Sequence, residues 1–246
     1  MIRFILVLLF VVLFLILTLP IYFILWLIGK KWPNIYNRAS RYIVKWGFSV
    51  VRFLSGTKLI VLGQENIPHD QAVLYVGNHR SYYDIILTYL AVPGMTGYIA
   101  KKEMNKIPSL RKWMKAIGCL FLDRDDIRQG MQMILDAVAK IKSGISIFVF
   151  PEGTRNKSNE LFLPFKAGSL KIAEKSKCPI VPVMILNSDE IFEKHAPRIF
   201  KTTVVIEFGP AIYTDNLDKE AKKALADNTF ASIKSMYEKH KKNYSF

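Results

Sequence analysis

The sequence predicts an α/β domain over residues 56–246, with a largely parallel or mixed sheet flanked by helices, preceded by a membrane-embedded helical segment over residues 1–55. Three observations lead to this prediction. Short β-rich runs alternate with helical patterns from Thr57 onward, which is typical of such a sheet. A long uncharged apolar stretch lies near the N-terminus, and no internal repeat or low-complexity linker divides the remainder.

The N-terminal segment is interpreted as a retained membrane anchor. Phe4 to Gly29 is 26 residues long and carries no charge, whereas about 20 apolar residues suffice to cross a hydrocarbon core. A secretory signal would have a shorter apolar region and a small-residue cleavage site, neither of which is present. The positive-inside bias places everything after residue 30 at the cytoplasmic face of the cell membrane, because Arg3 precedes the stretch whereas Lys30, Lys31, Arg38 and Arg41 follow it.

Two features complicate a simple membrane span. Pro20 lies inside the apolar stretch, where it removes a helix hydrogen bond and predicts a kink. Ile35 to Leu54 then mixes apolar and basic residues in an amphipathic pattern suited to the membrane interface. The sequence favours a span followed by an interfacial helix, with a helical hairpin dipping into one leaflet as the alternative. A buried helix hairpin is disfavoured, because the stretch is apolar on every side.

The rest of the chain divides into short strands and longer helices. Strands are predicted by short apolar, β-branched runs at Lys58 to Leu62, Val73 to Val76, Gly97 to Ala100, Cys119 to Leu122, Ile145 to Phe150, Ile180 to Ile185 and Thr203 to Phe208. Helices are predicted at Tyr82 to Leu90, Ser109 to Ile117, Ile127 to Ser143, Ala167 to Ser176 and about Asp218 to Lys242. In such a sheet, functional loops gather at the carboxyl ends of the strands.

Composition narrows the choice of partners. The chain has 35 lysine and arginine residues against 20 aspartate and glutamate, which gives a net charge of +15. This balance favours an acidic partner, such as an anionic membrane, a phosphorylated substrate or an acidic carrier protein. Nucleic acid is not expected, because no recognised nucleic-acid module accompanies the charge. Cys119 and Cys178 lack disulfide or zinc spacing and no HExxH pattern occurs, so no metal is expected.

A histidine and an aspartate five residues apart follow the second predicted strand. Residues at this spacing on one helix would lie about 140° apart around its axis, so His79 belongs to the turn and Asp84 to the first turn of the next helix. Asp84 could then accept a hydrogen bond from one ring nitrogen and leave the other nitrogen as a base. The alternative is that Ser81 caps the helix and Asp84 completes a capping pattern.

Further strand ends carry polar residues. Asp123 and Arg124 follow the fourth predicted strand, where a surface ion pair would be a sufficient explanation. Lys101 follows the third strand and is a candidate for phosphate binding, with a solvated lysine as the alternative. After the fifth strand, a glycine permits close backbone approach, a hydroxyl can donate, and a guanidinium fork suits a phosphate, although an ordinary turn also favours Pro and Gly. The loop after the fifth strand reads Pro151, Glu152, Gly153, Thr154 and Arg155.

The order of these loops resembles the glycerolipid acyltransferase family. Four blocks carry the resemblance, namely Asn78-His79 with Asp84, then Gly118, Phe121, Asp123 and Arg124, then Phe150 to Arg155, and finally Val181-Pro182-Val183. Pro164 to Gly168 also resembles the family's segment after the third block. The likeness runs from about Asn78 to Ile185 and departs at Leu122 and Asn156, where the family often has isoleucine and serine.

The resemblance implies an enzyme that moves a fatty acyl group from an acyl thioester to the sn-2 hydroxyl of 1-acyl-glycerol-3-phosphate (lysophosphatidic acid), giving phosphatidic acid. The thioester, on acyl carrier protein or coenzyme A, is a co-substrate, and no cofactor is implied. His79 would be the general base and Asp84 its orienting partner. The resemblance implies a substrate phosphate site shaped by Glu152, Gly153, Thr154 and Arg155, with Arg124 in the same pocket. A covalent acyl-enzyme is not expected, because no G-x-S-x-G elbow occurs and capping explains Ser81.

A basic segment between residues 101 and 115 is the last feature of the sequence. Its cations, Lys101, Lys102, Lys106, Arg111, Lys112 and Lys115, interleave with apolar residues. This pattern predicts a rim that rests on anionic lipid or receives an acidic acyl carrier, with a solvated basic face as the alternative. Two other functions stay open: an acyltransferase that uses glycerol 3-phosphate or another lysophospholipid as acceptor, and a non-catalytic membrane protein that binds anionic lipid.

Overall fold

The computed structural model describes residues 1–123 and 126–244. Within these ranges, seven strands form one sheet in the order β1-β7-β6-β2-β5-β3-β4. The strands are β1 Lys58–Leu62, β2 Leu74–Gly77, β3 Thr96–Lys101, β4 Leu120–Leu122, β5 Ser146–Val149, β6 Ile180–Leu186 and β7 Thr203–Phe208. The α-helices are α1 Ile2–Leu17, α2 Leu19–Gly29, α3 Pro33–Ser55, α4 Tyr83–Ala91, α5 Pro108–Ala116, α6 Ile127–Lys142, α7 Lys171–Ser176 and α8 Lys219–Lys241.

The sheet is mixed. Strands β6 and β7 pair antiparallel, whereas every other neighbouring pair in the described sheet is parallel. Strands β2 to β6 therefore run in one direction, and their carboxyl ends meet at one edge. The prediction of an α/β domain with a mixed sheet flanked by helices is confirmed.

Two hydrophobic layers cover the two faces of the sheet. Alternate residues of one strand point to opposite faces, so Tyr75 packs on one side while Leu74 and Val76 pack on the other. Helices α3, α4 and α5 contribute buried residues to the first layer, and α1 and α2 pack against it. Helices α6, α7 and α8 cover the second face. Burial on both faces explains why the strands read as nearly continuous apolar runs.

Local signals set several helix ends. Asp126 caps α6 by accepting from the amides of Arg128 and Gln129, and Asp218 caps α8 by accepting from the amide of Ala221. Helix α3 ends at Gly56, whose φ of 74° is a left-handed conformation that glycine adopts without strain. One predicted helix is shorter than expected. Residues Ala167–Leu170 form a 3-10 turn and α7 begins only at Lys171, since Gly168 disfavours the first α-helical turn.

The predicted apolar stretch is two helices. Thr18 separates α1 from α2, because the proline ring at Pro20 has no N–H to continue the helical hydrogen bonds. Within residues 1–123 and 126–244, no single helix is long and apolar enough to cross a membrane, whereas α1 and α2 together pass that test with a bend of 44° between them. The predicted kink is present.

Helix α5 contacts the break between α1 and α2. The buried indole N–H of Trp113 donates to Thr18 Oγ1 at 2.9 Å, and the Ser109 hydroxyl donates to the carbonyl of Leu15. The Trp113 ring also packs edge-on against the Tyr22 ring, with centroids 5.5 Å apart. The N-terminal helices are therefore joined to the remainder of the fold by polar as well as apolar contacts.

Candidate active site

The candidate site lies at the edge where the carboxyl ends of β2, β3, β5 and β6 meet. Asn78 continues β2 and is 1% exposed. Its side-chain amide donates to the carbonyl of Ile185 and accepts from the Ile185 amide, both at 2.8 Å. These two bonds hold the start of the loop after β2 against β6, and the next residue is His79.

His79 and Asp84 are in contact. His79 Nδ1 lies 2.8 Å from Asp84 Oδ2, although the two residues occupy a loop and the first turn of α4. The Asp84 carboxylate is fully buried, whereas the His79 side chain keeps 13% of its surface exposed. No described residue makes a hydrogen bond to His79 Nε2. The geometry therefore leaves one imidazole nitrogen for an incoming group.

The same carboxylate oxygen also bonds two main-chain amides of the turn that precedes α4. Asp84 Oδ2 accepts from the amides of Arg80 and Ser81, each at 2.8 Å, while Ser81 Oγ accepts from the Tyr83 amide at 3.0 Å. The capping contacts and the histidine contact predicted as alternatives from the sequence thus occur together. The capping bonds hold the carboxylate in the position from which it contacts the His79 ring.

An aromatic ring supports the imidazole. Phe150 stacks on His79 with ring centroids 4.1 Å apart and planes inclined by 17°. Phe150 follows β5, the neighbour of β2 in the sheet. Stacking on one face and the Asp84 bond at one edge restrict the orientation of the His79 ring.

Glu152 contacts main-chain amides, which differs from the phosphate-site role that the sequence suggested. Oε1 accepts from the His79 amide at 2.8 Å and Oε2 accepts from the Leu163 amide at 3.1 Å. The side chain is buried at 3% exposure. Burial, reinforced by the charge of Asp84, raises the pKa of Glu152 to about 7. The observed contacts make Glu152 a support for the His79 backbone.

The residues after Glu152 form a tight, exposed turn. Gly153 has a φ of 74° and its amide donates to the carbonyl of Phe150 at 2.9 Å. A Cβ at this glycine would lie 3.2 Å from Lys166 Nζ, so the lysine amine lies directly over the turn. Thr154 is exposed. Lys166 is a cation near this loop that the sequence analysis placed only in a motif segment.

The Arg155 guanidinium is held on two sides. Its Nη1 donates to Glu193 Oε1 at 3.2 Å, and its Cζ lies 3.5 Å from the centre of the Tyr82 ring. A guanidinium has five N–H donors, and only this one bonds to a residue in the described part of the chain. Arg155 is therefore fixed in place with donors remaining for a ligand.

Lys101 and Arg124 are the two remaining predicted site residues. Lys101 ends β3 at the same edge of the sheet, where its side chain is 58% exposed and its amine pairs with Glu103 at 3.1 Å. Arg124 lies outside the described residues. A metal centre is not evident, since no group of three or more His, Cys, Asp or Glu side chains within residues 1–123 and 126–244 is arranged to hold a metal ion.

The chain is similar to proteins of known description. An acyltransferase family model matches residues 58–186, which include His79, Asp84 and the loop from Glu152 to Arg155. This chain belongs to the acyltransferase family. A Borreliella burgdorferi protein described as 1-acyl-sn-glycerol-3-phosphate acyltransferase is 30% identical over 188 residues, which cover 76% of this chain and 75% of that protein.

Two further relatives of this acyltransferase extend the match. A Saccharomyces cerevisiae protein with the same description is 29% identical over 196 residues, covering 79% of this chain and 63% of the yeast protein. The crystal structure of the 1-acyl-sn-glycerophosphate (LPA) acyltransferase PlsC from Thermotoga maritima superposes with a TM-score of 0.75, at 25% identity, and covers 96% of this chain and 97% of PlsC. The similarity in structure thus includes α1 to α3 as well as the sheet.

Some residues at the candidate site were missed from the sequence. Glu193 follows β6, whose carboxyl end reaches the same edge, so the strand-end rule applied to β6 would have indicated this acidic segment. Arg80 donates to Asp189 Oδ2 at 2.8 Å and to the carbonyl of Glu160 at 2.7 Å, which joins the loops after β2, β5 and β6. The main-chain N–H of Asn156 donates to the His79 carbonyl at 2.7 Å. These contacts join residues that are far apart along the chain, so no regular spacing in the sequence indicates which residues will meet.

Proposed function

We propose that this chain transfers a fatty acyl group from a thioester to the sn-2 hydroxyl of 1-acyl-glycerol-3-phosphate, producing phosphatidic acid. The observation that carries the proposal is the contact of His79 Nδ1 with the buried Asp84 carboxylate at 2.8 Å, beside the loop that holds Arg155. The descriptions of the relatives from Borreliella burgdorferi and Thermotoga maritima support the same reaction.

The reaction requires one base. The sn-2 hydroxyl oxygen attacks the thioester carbonyl carbon while His79 Nε2 takes the hydroxyl proton, and Asp84 stabilises the resulting imidazolium. The C–S bond then breaks as the carbonyl re-forms, which leaves a new oxygen ester. The departing thiolate takes the proton back from the imidazolium and is released as a thiol. A thiol has a pKa of about 8.5, so it leaves without a strong general acid.

The acceptor phosphate is assigned to the loop after β5. Arg155 keeps free donors, and a planar guanidinium suits a phosphomonoester better than a neutral head group. We include Gly153 and Thr154 in this site, with Lys101 and Arg124 as the further cations at strand ends. Glu152 is assigned to positioning His79, because its two carboxylate oxygens contact backbone amides.

We further propose that α1, α2 and the outer side of α3 embed in the cell membrane with the sheet domain on its cytoplasmic face. Large apolar residues are exposed along this surface, including Ile5, Leu9, Leu13, Leu17, Phe23, Trp26, Trp46 and Phe53. An apolar surface of this extent favours lipid over water. The membrane would supply the lysophosphatidic acid, while the acyl donor, on acyl carrier protein or coenzyme A, arrives from the cytoplasm.

The test is turnover by purified protein in mixed micelles with an acyl thioester and lysophosphatidic acid. Wild-type protein should release free thiol and form phosphatidic acid in equal amounts, and His79→Ala should lower the rate by on the order of 10²–10⁴-fold. His195→Ala is the matched control, because His195 pairs with Glu190 rather than with Asp84 and its loss should leave the rate unchanged. An unchanged rate in His79→Ala would refute the mechanism, and preference for glycerol 3-phosphate in a competition assay would refute the assigned acceptor.

A further inference from the structure

We propose that Glu193 is a positioning residue that orients Arg155 toward the acceptor phosphate and fixes this cation relative to the His79–Asp84 pair. This inference rests on the proposed function, since it assigns a role within the same reaction. Glu193 lies outside residues 58–186, the range that the acyltransferase family model matches. The family model therefore does not point to Glu193, whereas its contacts in the structure do.

The Glu193 carboxylate accepts three hydrogen bonds. Oε1 accepts from the Tyr82 amide at 2.8 Å and from Arg155 Nη1 at 3.2 Å. Oε2 accepts from the Ser81 hydroxyl at 2.6 Å. The side chain is only 17% exposed, so these contacts are partly shielded from solvent. One carboxylate thus joins the loop after β5 to the start of α4.

These contacts restrict Arg155 before any ligand arrives. An unrestrained arginine side chain loses rotamer freedom when it binds a phosphate, and a pre-oriented one loses less. Glu193 bonds one nitrogen of the guanidinium, and the Tyr82 ring lies under its face at 3.5 Å. Tyr82 is held in turn, because its own amide donates to Glu193. The Glu193 carboxylate therefore bonds the guanidinium directly and also holds the backbone of Tyr82, whose ring lies under the guanidinium.

The contacts also join the phosphate-binding cation to the base. Ser81 donates its hydroxyl to Glu193 and its amide to Asp84 Oδ2, and Asp84 Oδ2 contacts His79. A continuous set of hydrogen bonds thus runs from Arg155 through Glu193 and Ser81 to the Asp84–His79 pair. In a substrate whose phosphate and sn-2 hydroxyl are separated by a fixed number of bonds, this link sets the distance at which the hydroxyl meets the base.

The position of Glu193 is itself supported from the N-terminal helices. Phe192 stacks on Phe4 of α1, with ring centroids 5.7 Å apart and planes inclined by 1°. The negative charge lies at the N-terminal end of α4, where the helix dipole stabilises an anion. Both features keep the carboxylate in place when a phosphate approaches Arg155.

The experiment compares two acceptors in the full-length protein. Lysophosphatidic acid carries the phosphate, and 1-acyl-glycerol has the same sn-2 hydroxyl without it. Glu193→Gln keeps the size of the side chain and one oxygen acceptor. We expect kcat/KM for lysophosphatidic acid to fall about tenfold, mainly through KM, with little change for 1-acyl-glycerol. Glu190→Gln is the matched control from the same segment, since Glu190 pairs with Lys194 and His195, and should behave as wild type.

A double-mutant cycle separates positioning from helix capping. If Glu193 acts through Arg155, Glu193→Gln should have no further effect on the preference between the two acceptors in an Arg155→Ala background. Equal losses for both acceptors, together with a lowered unfolding temperature, would overturn the inference in favour of a structural role at the start of α4. A lower KM for lysophosphatidic acid would also overturn it, because loss of a positioning contact should raise KM. Absence of wild-type turnover with lysophosphatidic acid would instead refute the proposed function, and the role of Glu193 with it.

Discussion

At the scale of single residues, one oxygen of Asp84 contacts both the His79 ring and the turn before α4. Asp84 Oδ2 accepts from His79 Nδ1 and from the amides of Arg80 and Ser81. Asp84 Oδ1 is buried and has no hydrogen-bond partner among the described residues. In the proposed reaction, a negative charge on this carboxylate would stabilise the imidazolium that forms on His79.

Asp84→Asn tests this electrostatic role. The amide keeps the size of the side chain and removes its charge, so we expect kcat to fall by on the order of 10³-fold while KM changes little. The measurement is thiol release at saturating lysophosphatidic acid. Ser81→Ala provides the comparison, because it removes a capping hydroxyl and leaves the carboxylate; its kcat should fall much less. Similar values of kcat for the two variants would contradict the role assigned to the charge.

The raised pKa of Glu152 predicts that the stability of the folded chain depends on pH. Its pKa is raised from 4.5 to about 7 by burial, so the folded chain binds this proton more tightly than the unfolded chain. The associated stability is fully present below pH 4.5 and is lost as the pH rises through 7. The raised pKa corresponds to about 3 kcal/mol of unfolding free energy.

Glu152→Gln removes this titration. We expect the unfolding free energy of the variant, relative to wild type, to rise by about 3 kcal/mol between pH 4 and pH 8. Denaturant unfolding in neutral detergent micelles measures it at each pH. Glu160→Gln is the control, because the Glu160 side chain is exposed and its replacement should give a constant difference. A constant difference for Glu152→Gln as well would contradict the raised pKa.

At the scale of elements, helix α5 defines the geometry of the N-terminal helices. Thr18 Oγ1 donates to the carbonyl of Phe14 and accepts from the Trp113 indole, and both side chains are buried. Pro20 explains why the helix can break there, and Trp113 supplies a partner for the polar group left at the break. Local sequence and tertiary contact thus act at the same residue.

Trp113→Phe tests the contribution of this contact. The change removes the indole N–H and leaves an aromatic ring, so we expect a loss of about 1–2 kcal/mol in unfolding free energy. Thermal and denaturant unfolding in micelles would measure the loss. Trp32→Phe serves as control, since Trp32 is 50% exposed, and should change stability by less than about 0.5 kcal/mol. Equal effects of the two changes would argue against a specific role for the Trp113–Thr18 bond.

At the scale of the whole molecule, cations accompany the exposed apolar surface. The chain carries a net charge of +15, and the amines of Lys30 and Lys112 lie over the rings of Trp26 and Tyr22 in α2. Basic groups beside an apolar surface are typical of proteins that bind anionic lipid. We therefore expect the charge to assist membrane binding and the apolar helices to retain it.

Salt should separate these two contributions. On vesicles, raising the anionic lipid fraction should increase kcat/KM at about 0.05 M salt, and this gain should disappear near 0.5 M salt because the Debye length shrinks to a few ångströms. Sedimentation should find the protein on vesicles at both salt concentrations, since salt does not screen apolar contacts. Neutral micelles provide the control and should show no such gain. Release of the protein at 0.5 M salt would contradict embedding of α1 and α2.

The sequence by itself determined the features that depend on local pattern. The strands β1 and β7 and the ends of α4, α5 and α6 were predicted to within about a residue, because periodicity, capping residues and glycines act over a few positions. The contact between His79 and Asp84 was also predictable, since both residues lie within one strand–turn–helix unit. The family resemblance implied a place for Arg124 in the acceptor pocket, and Arg124 lies outside the described residues.

The tertiary structure decided what depends on distant pairing. The strand order, the bond between Trp113 and Thr18, and the contacts of Glu152 and Glu193 all join residues far apart along the chain. Sheet order follows from how the two layers pack, and loop contacts follow from which strand ends become neighbours. Neither leaves a local spacing in the sequence. The His79–Asp84 pair of the proposed reaction can therefore be predicted from one short motif. The contact between Glu193 and Arg155 forms only once the sheet brings the two loops together.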